Sequence, residues 1–329
     1  MSNKSHGVLT IAIPTYNRCE FLLKNLKSLD QMICNLKAQD FVEILISDNA
    51  STDDTEKEVM KLVKGNVYIN YHRNEKNIGP RINIANLFGK VKTKYMLLLG
   101  DDDFISIDYL REILECLEQD IGCVIPSYVN IDLNGEKNGR GRDLTVKSNK
   151  YKGGFQNCLE NAWRGHQMSG LVFRVENIME EIKEKSIYNY YLQIYALAYC
   201  CLHGTTYHIT EYPILVTRPP QNTKDWGYGK DGLVGDVFEN FVKLDISNLQ
   251  KVQLEMRFLI NQYWRYAMYL KKGIKNFFIC IWSIVKSPYT LWETKIIFAS
   301  TFMFILAGKS IGLLCSGKLL QILTTEVDI

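Results

Sequence analysis

An apolar run that ends in three consecutive carboxylates constrains the fold of this chain more than any other segment. Residues 95–103 read Tyr-Met-Leu-Leu-Leu-Gly-Asp-Asp-Asp. The apolar part is typical of a buried strand, and in an open α/β sheet the ligand binds at the edge where such strands end. Adjacent carboxylates repel one another unless a cation lies among them, and their hard oxygens suit Mg²⁺ or Mn²⁺. The alternative is a solvated turn that caps a helix starting near Ser106.

The first half of the chain alternates between strand and helix patterns. Short apolar runs predict strands, and longer stretches with helical spacing separate them. This order predicts right-handed βαβ units, and therefore an α/β fold with a mainly parallel central sheet flanked by helices. The predicted strands are 8–13, 41–47, 67–71, 95–99 and 123–131, and the predicted helices include 21–36 and 55–63.

Polar loops follow three of these strands and should meet at one edge of the sheet. Residues 14–18 follow the first strand, residues 48–54 follow the second, and the Asp triplet follows the fourth. Helix capping accounts for Ser51 or Thr52 together with Asp54, but it leaves Asp48 at the strand tip unexplained. We therefore expect a binding site at this edge.

The overall charge excludes one class of partner. A net charge of +3 over 329 residues is too small to indicate a nucleic-acid-binding protein. The N-terminal residues carry no apolar leader segment before the first predicted strand, so we expect the protein to be cytoplasmic.

The second half of the chain predicts a different kind of structure. Residues 175–203 have helical spacing, and residues 205–209 are expected to form a strand. Residues 218–232 are rich in Gly, Pro and aromatic residues, which predicts a loop that could act as a lid. We expect a catalytic domain at 1–232 and a helical, basic and apolar region at 233–329.

The C-terminal region leaves two interpretations open. Between residues 243 and 318 there are eleven Lys or Arg residues and three Asp or Glu residues. The uncharged stretches 276–285 and 296–308 are both shorter than the 20 or so residues that a spanning helix needs. Short apolar helices flanked by lysines, with Trp282 and Trp292 nearby, fit a segment lying on an anionic membrane surface. An ordinary buried helical subdomain with a solvated lysine face fits equally well.

Four motifs in the first half resemble those of the inverting family 2 glycosyltransferases, which have the GT-A fold, a Rossmann-like α/β architecture. In chain order the motifs are Ile-Pro-Thr-Tyr-Asn-Arg at 13–18, Ile-Ser-Asp-Asn-Ala-Ser-Thr-Asp-Asp-Thr at 46–55, Asn-Ile-Gly-Pro-Arg-Ile-Asn at 77–83 and Leu-Gly-Asp-Asp-Asp at 99–103. A weaker match lies at 169–174. The Gly-Asp-Asp-Asp form and a Trp before Ser169-Gly170 most resemble the abequosyltransferase-type enzymes of bacterial O-antigen synthesis.

The resemblance implies roles for individual residues. Asp48 would accept a hydrogen bond from the nucleotide base, and Tyr16 would stack near that base. Arg18 and Arg81 would face the diphosphate, because a guanidinium binds two oxygens at once. The residues implied to bind the nucleotide sugar are Pro14, Thr15, Tyr16, Arg18, Asp48, Arg81, Asp101 and Asp102.

The same resemblance implies a Mn²⁺ or Mg²⁺ cofactor held by Asp102 and Asp103. The family pattern is Asp-x-Asp-Asp, and Gly100 stands where its first carboxylate is expected. The chain departs from the family again at 187–193, where an acidic base is expected and no Asp or Glu occurs. Asp103 and His166 remain as catalytic candidates, although a lone loop histidine is more often structural.

The implied function is inverting, metal-dependent transfer of a sugar or deoxysugar during bacterial surface polysaccharide synthesis. The donor would be a nucleotide diphosphate sugar, and the acceptor a glycan carried on undecaprenyl diphosphate, with the enzyme peripheral on the inner face of the cytoplasmic membrane. Two alternatives remain open. One is a sugar nucleotidyltransferase, although the loop after the first strand is not Gly-rich. The other is a non-catalytic relative that binds nucleotide or membrane.

Overall fold

The computed structural model describes residues 7–138, 141–218, 233–262 and 274–300. The predicted lid at 218–232 lies almost entirely outside these residues. The strands are β1 Leu9–Thr15, β2 Val42–Asp48, β3 Ile69–Arg73, β4 Tyr95–Leu98, β5 Cys123–Ile131, β6 Asn149–Tyr151, β7 Leu171–Arg174 and β8 Thr206–Thr217. The helices are α1 Cys19–Asn35, α2 Thr55–Val63, α3 Pro80–Lys90, α4 Ile107–Leu117, α5 Phe155–Asn161, α6 Ile178–Glu184, α7 Leu192–His203, α8 Leu233–Val242, α9 Asn248–Asn261 and α10 Ile274–Lys286. Residues 292–300 are also helical.

The eight described strands form one sheet in the order β3-β2-β1-β4-β7-β5-β8-β6. Strands β1 to β4 are parallel to one another, and β5 is parallel to β8. Strand β7 runs antiparallel to β4 and β5, and β6 runs antiparallel to β8. The predicted α/β fold with a mainly parallel sheet is confirmed. Because β1 lies between β2 and β4, the loops after these three strands emerge side by side.

Helices cover the parallel strands because each buries an apolar stripe. Leu22, Leu26, Leu29 and Ile33 recur at helical spacing along α1 and are fully buried in the core against the sheet. The polar side chain of Asn25 lies on this same stripe and is 1% exposed. A buried amide needs hydrogen-bond partners, so we expect the Asn25 side chain to hydrogen-bond to another part of the protein.

Two segments differ in extent from the sequence expectation. The helical stretch 175–203 is two helices, α6 and α7, separated by Ser186, whose φ of 52° is left-handed and ends α6. The strand expected at 205–209 continues to Thr217 as β8. The polar stretch after β5 folds back on it, with bridges from Ile131 to Lys137 and from Tyr128 to Arg142.

The chain divides into two compact units, residues 1–221 and 222–329. In the second unit, Phe238 and Phe241 of α8 pack with Phe258 of α9, and all three rings are buried. The buried Glu255 of α9 accepts the backbone N–H of Leu291 at 3.3 Å, just before the helix 292–300. The helices of this unit therefore have a core of their own.

The second unit also exposes large apolar side chains. On α10, Phe278, Ile279 and Trp282 are 45%, 42% and 57% exposed, and in the last helix Trp292 and Ile296 are 66% and 55% exposed. Among the residues described, no helix is both long enough and apolar enough to cross a bilayer. Lys271, Lys272 and Lys309, which belong to the basic region identified in the sequence, lie outside the described residues.

Candidate active site

The ends of β1, β2 and β4 bring the three polar loops together at one edge of the sheet. Thr15 and Asp48 are paired across β1 and β2, and the N–H of Leu99 donates to the carbonyl of Ala12 between β4 and β1. The Thr15 hydroxyl reaches across to the Asp101 carboxylate at 2.8 Å. The loops after β1 and β4 are therefore in direct contact.

Asp101 and Asp102 share one cationic partner, the guanidinium of Arg18. Arg18 Nε lies 2.9 Å from Asp101 Oδ1, and Arg18 Nη2 forms an ion pair with Asp102 Oδ2. Burial raises the pKa of Asp101 to about 6, against the opposing effect of Arg18. Burial likewise raises the pKa of Asp102. The charge of Arg18 thus opposes the effect of burial on the pKa of both carboxylates.

Asp103 faces away from this pair, towards β7 and β8. Its carboxylate accepts hydrogen bonds from the Ser169 hydroxyl, from the Thr217 N–H at 2.8 Å and from the Gln167 amide at 3.4 Å. Burial, with the neighbouring Asp102 charge, raises the pKa of Asp103 to about 7. Both carboxylate oxygens of Asp103 accept hydrogen bonds from other residues of the protein. Asp103 therefore links the ends of β4, β7 and β8.

Gly100 is confined by its neighbours. A Cβ at this position would lie 3.0 Å from Asp103 Oδ2 and 3.1 Å from Ser169 Oγ. The Gly100 N–H also donates to the Ser169 hydroxyl at 3.0 Å. The space for the carboxylate that the family pattern places here is thus taken by the contact between Asp103 and Ser169.

Asp48 lies fully buried at the tip of β2. Its Oδ1 accepts from the Ser51 N–H at 2.9 Å and from the Ser51 hydroxyl at 2.6 Å, and its Oδ2 accepts from the Tyr71 hydroxyl at 2.5 Å. Arg73 Nε lies 3.8 Å from the same carboxylate. The Asp48 carboxylate therefore stabilises the conformation of the loop that follows β2.

The remaining predicted donor-binding residues lie around this edge. Tyr16 is 41% exposed, and Pro14 is half-buried. The guanidinium of Arg81, in the first turn of α3, stacks over the ring of Tyr190 at 5.0 Å, so it meets the segment between α6 and α7. That segment holds the position where the family resemblance implies an acidic base.

His166 ends a short 3₁₀ helix, Ala162–His166, that precedes β7. Its Nδ1 lies 3.1 Å from the Trp163 carbonyl oxygen, and the two rings stack at 6.2 Å. The segment is anchored by the buried Arg164, whose Nε lies 2.8 Å from Asp143 Oδ2. The chain from His166 to Ser169 therefore connects this anchor directly to Asp103.

Asp101 and Asp102 together fit a divalent metal better than all three carboxylates do, because both already pair with the guanidinium of Arg18. Among the described residues, no group of three or more His, Cys, Asp or Glu side chains is arranged to hold a metal ion. Mg²⁺ bound with substrate phosphates typically uses only one or two carboxylates and takes its other ligands from water and phosphate. Asp101 Oδ1 and Asp102 Oδ2 already face a common positive charge, and so they match this pattern.

Sequence reasoning missed three residues that build the site: Asn25, Ser169 in its contact with Asp103, and Thr217. The Asn25 amide donates to the carbonyls of Gly100 at 3.1 Å and Asp103 at 2.9 Å. The Thr217 hydroxyl donates to the Asp102 carbonyl. A polar residue on the apolar stripe of α1 was the available signal for Asn25. No local pattern marks Thr217, because its partners lie more than 100 positions earlier.

A cleft of about 260 Å³ lies next to the carboxylates, at the ends of β5 and β8. Its walls combine the rings of Phe21 and Phe104 with the charged side chains of Glu20, Lys24 and Asp132, and Thr217 lines it as well. The cleft therefore lies on the β8 side of Asp102.

Comparisons with known proteins agree with this geometry. The chain is 35% identical over 129 residues to abequosyltransferase RfbV of Salmonella typhimurium. The aligned segment covers 35% of this chain and 37% of that protein. It is 32% identical over 110 residues to GalNAc(5)-diNAcBac-PP-undecaprenol beta-1,3-glucosyltransferase of Campylobacter jejuni, which covers 32% of this chain and 33% of that protein. The matched segments span about a third of the length of these curated relatives.

The fold is similar to that of TarS residues 1–349 from S. aureus. The TM-score is 0.58 at 16% identity, covering 84% of this chain and 79% of that chain. The same protein in complex with UDP-GlcNAc gives a TM-score of 0.60 at 17% identity. These likenesses show the GT-A fold that the sequence motifs implied. The model of the family described as "Glycosyl transferase family 2" matches residues 10–178, just over half of the chain, and the protein therefore belongs to glycosyl transferase family 2.

Proposed function

We propose that this protein transfers a sugar from a nucleotide diphosphate donor to a hydroxyl group of a glycan acceptor. The observation that carries the proposal is the pairing of Asp101 and Asp102 on one cation at the tip of β4, beside the loops of β1 and β2. A cation at this place can neutralise a diphosphate bound at the sheet edge. Family membership supports the reaction class.

Asp101 and Asp102 would hold Mn²⁺ or Mg²⁺, which supplies charge stabilisation for the leaving diphosphate when bound. We assign Asp103 a positioning role instead of the metal-ligand role that the resemblance implies, because its oxygens are held by Ser169 and Thr217. Asp103 fixes the loop, and Asp102 presents its side chain from it. Thr15 holds the second oxygen of Asp101 and keeps that carboxylate oriented.

The donor would lie across the loops of β1, β2 and α3. Tyr16 offers an exposed ring for the base, and Arg81, at the start of α3, would contact the diphosphate. Asp48 would contact the base through Oδ2, which accepts one hydrogen bond, from Tyr71, whereas Oδ1 already accepts two from Ser51. The UDP-GlcNAc complex of the structurally similar TarS supports a nucleotide sugar donor.

The transfer would invert the anomeric centre by in-line displacement. The acceptor oxygen forms its bond to the anomeric carbon as the bond to the diphosphate oxygen breaks, and a base takes the acceptor proton. His166 is the stronger of the two candidates, because both oxygens of Asp103 are engaged. A proton on Nδ1 would satisfy the Trp163 carbonyl and make Nε2 the basic nitrogen.

The acceptor is proposed to be lipid-linked and the protein peripheral on the inner face of the bacterial cytoplasmic membrane. The name of the Campylobacter relative includes an undecaprenol-linked glycan, and that of the Salmonella relative an abequosyl transfer. In the second unit, exposed Phe278, Trp282 and Trp292 accompany basic residues such as Lys275 and Lys286. Apolar anchors combined with lysines favour an anionic lipid surface.

Ligand-induced stabilisation tests the donor site. Nucleoside diphosphates of each base would be screened for a shift in melting temperature with and without Mn²⁺. A ligand at 100 times its Kd adds about 2.7 kcal/mol to the free energy of unfolding. We expect one nucleotide to stabilise the protein, and its sugar conjugate to be turned over with a lipid-linked acceptor. Nucleotide binding without turnover of any donor would instead identify a non-catalytic relative.

The Asp48 assignment has a test with a matched control. Replacing Asp48 with Asn should weaken donor binding by about 1 to 3 kcal/mol, the range for a buried polar partner left unsatisfied. The variant Tyr71→Phe removes one internal hydrogen bond of Asp48 and leaves its charge in place. Equal loss of affinity in both variants would show that Asp48 acts only through its own loop.

A further inference from the structure

We propose that Arg18 is a built-in counter-cation that occupies the metal position and must move aside before a divalent cation binds. This inference rests on the proposed function, because it concerns the same carboxylates. It assigns Arg18 a competing role in the metal-free protein, in addition to the diphosphate contact implied by the resemblance.

The oxygens of the three carboxylates show what a metal would have to displace. Asp103 has both oxygens on Ser169 and Thr217, and Asp101 Oδ2 accepts from Thr15. The remaining oxygens, Asp101 Oδ1 and Asp102 Oδ2, are ion-paired with Nε and Nη2 of the same Arg18 guanidinium. A metal ligated by this pair would therefore meet the guanidinium at close range. Two cations at that distance repel, so the guanidinium and the metal exclude one another.

The metal-free loop needs this cation. The side chains of Asp101 and Asp102 are only 9% and 20% exposed, and they are adjacent in sequence. Two neighbouring carboxylates in a largely buried loop repel one another, so they need a compensating charge close by. Arg18 meets the need with a planar fork that reaches both groups at once, which a lysine ammonium cannot match.

The backbone and side chain of Arg18 differ in their freedom to move. Its neighbour Asn17 is fixed, since its N–H donates to the Ser51 hydroxyl at 2.9 Å and its side-chain oxygen accepts from the Thr52 N–H at 2.7 Å. The Arg18 side chain is 37% exposed and rests on the ring of Phe21 at 4.8 Å. The Arg18 guanidinium can therefore be displaced by rotation of its side chain alone, while the backbone beside it stays fixed.

Competition between Arg18 and the metal should raise the apparent Kd for the metal. When only a fraction of the protein has the binding-competent arrangement, the apparent Kd rises by the inverse of that fraction. Removing the guanidinium should make every molecule competent and so tighten metal binding. The same change should lower the stability of the metal-free protein, because the carboxylates lose their partner.

Calorimetric titration with Mn²⁺ alone, without donor, tests the inference on the full chain. Arg18→Met keeps the apolar stem over Phe21 and removes the charge. We expect it to bind Mn²⁺ at least tenfold more tightly than the parent, to melt at a lower temperature without metal, and to gain more from added Mn²⁺. Arg18→Gln, with a shorter polar side chain, serves as the second variant if Arg18→Met does not fold.

A control variant and a separate assay make the outcomes distinct. Arg111→Ala removes an exposed arginine of α4 that pairs with Asp108, and it should bind Mn²⁺ like the parent. Equal or weaker Mn²⁺ binding by folded Arg18→Met would overturn the inference. Donor turnover by the parent is measured separately. If the parent turns over a donor while Arg18→Met shows unchanged Mn²⁺ affinity, the inference alone fails, and if no donor is turned over, the proposed function fails.

Discussion

The side-chain amide of Asn25 donates a 2.9 Å hydrogen bond to the backbone carbonyl of Asp103. The same amide donates to the carbonyl of Gly100, so one residue of α1 holds both ends of the carboxylate loop. Asn25 is 1% exposed, and no solvent can replace it. The conformation of the carboxylate loop thus depends on a residue of α1.

Replacing Asn25 with Leu should therefore damage the site from a distance. The buried Asp103 carbonyl would lose this donor, and the Gly100 carbonyl would keep only the Asp103 N–H at 3.3 Å. A buried polar group left unsatisfied costs about 1 to 3 kcal/mol. We expect a lower free energy of unfolding in urea and a lower turnover number. Asn70→Ala, at an exposed position of β3, should stay within about 0.5 kcal/mol of the parent. An Asn25→Leu protein with parental stability would contradict this account.

Gly100→Ala should be poorly tolerated, because the new Cβ would press on Asp103 Oδ2 at 3.0 Å. Overpacking of this kind costs about 1 to 3 kcal/mol. Gly65→Ala provides the comparison, since its nearest neighbouring atom would lie at 3.8 Å. Thermal unfolding of the two variants side by side checks the prediction. Equal melting temperatures would show that the loop can adjust.

Asp102→Asn should abolish metal-dependent sugar transfer while leaving the fold intact, because it removes a formal charge and keeps the shape. The readouts are transfer activity over a range of Mn²⁺ concentrations and a circular dichroism spectrum. Asp108→Asn, on the exposed face of α4, is the matched control. Full activity of the Asp102→Asn variant would rule out this residue as a metal ligand.

The exposed surface of α10 and residues 292–300 should bind anionic vesicles. Basic residues near such a surface contribute about 1 kcal/mol each, and salt screens the attraction. Liposome flotation should show binding that requires anionic lipid and weakens with ionic strength. The triple change of Lys275, Lys286 and Lys295 to Glu should remove it, and Trp282→Ala should weaken it. Equal flotation on neutral vesicles, or none with folded protein, would favour the ordinary helical subdomain.

The stability of the second unit should depend on pH through Glu255. Burial raises the pKa of Glu255 from 4.5 to about 7 in the folded protein. Between these values the folded state binds more protons than the unfolded state, so the free energy of unfolding falls as the pH rises from about 4.5 to 7. The loss is on the order of 3 kcal/mol. Glu255→Gln should flatten this dependence in urea titrations at pH 5 and 7.5, and an unchanged slope would contradict it.

The part of the fold that could be predicted depends on local patterns. Apolar runs ending in polar turns placed β1, β2 and β4 within two residues of their observed bounds, and β5 matched at both ends. Parallel order then placed Thr15, Asp48 and the Asp triplet at one edge. The split between α6 and α7 was missed because a left-handed Ser186 is not a composition signal.

The different contacts of the three Asp residues in the triplet could not be predicted from the sequence. Asp101, Asp102 and Asp103 are chemically identical, and what separates them is contact with residues far along the chain. Ser169 and Thr217 fix Asp103 over separations of 66 and 114 positions. Arg18 reaches Asp102 over 84 positions. Only tertiary structure brings these groups together, so the contacts of Asp103 and Arg18 could not be read from the sequence.

The close contact around Gly100 also has an evolutionary consequence. Restoring the family's additional carboxylate at position 100 would place it against the contact between Asp103 and Ser169. A single substitution would therefore be disfavoured, whereas a simultaneous change at position 169 would open the space. We therefore expect substitutions at positions 100 and 169 to have non-additive effects on stability.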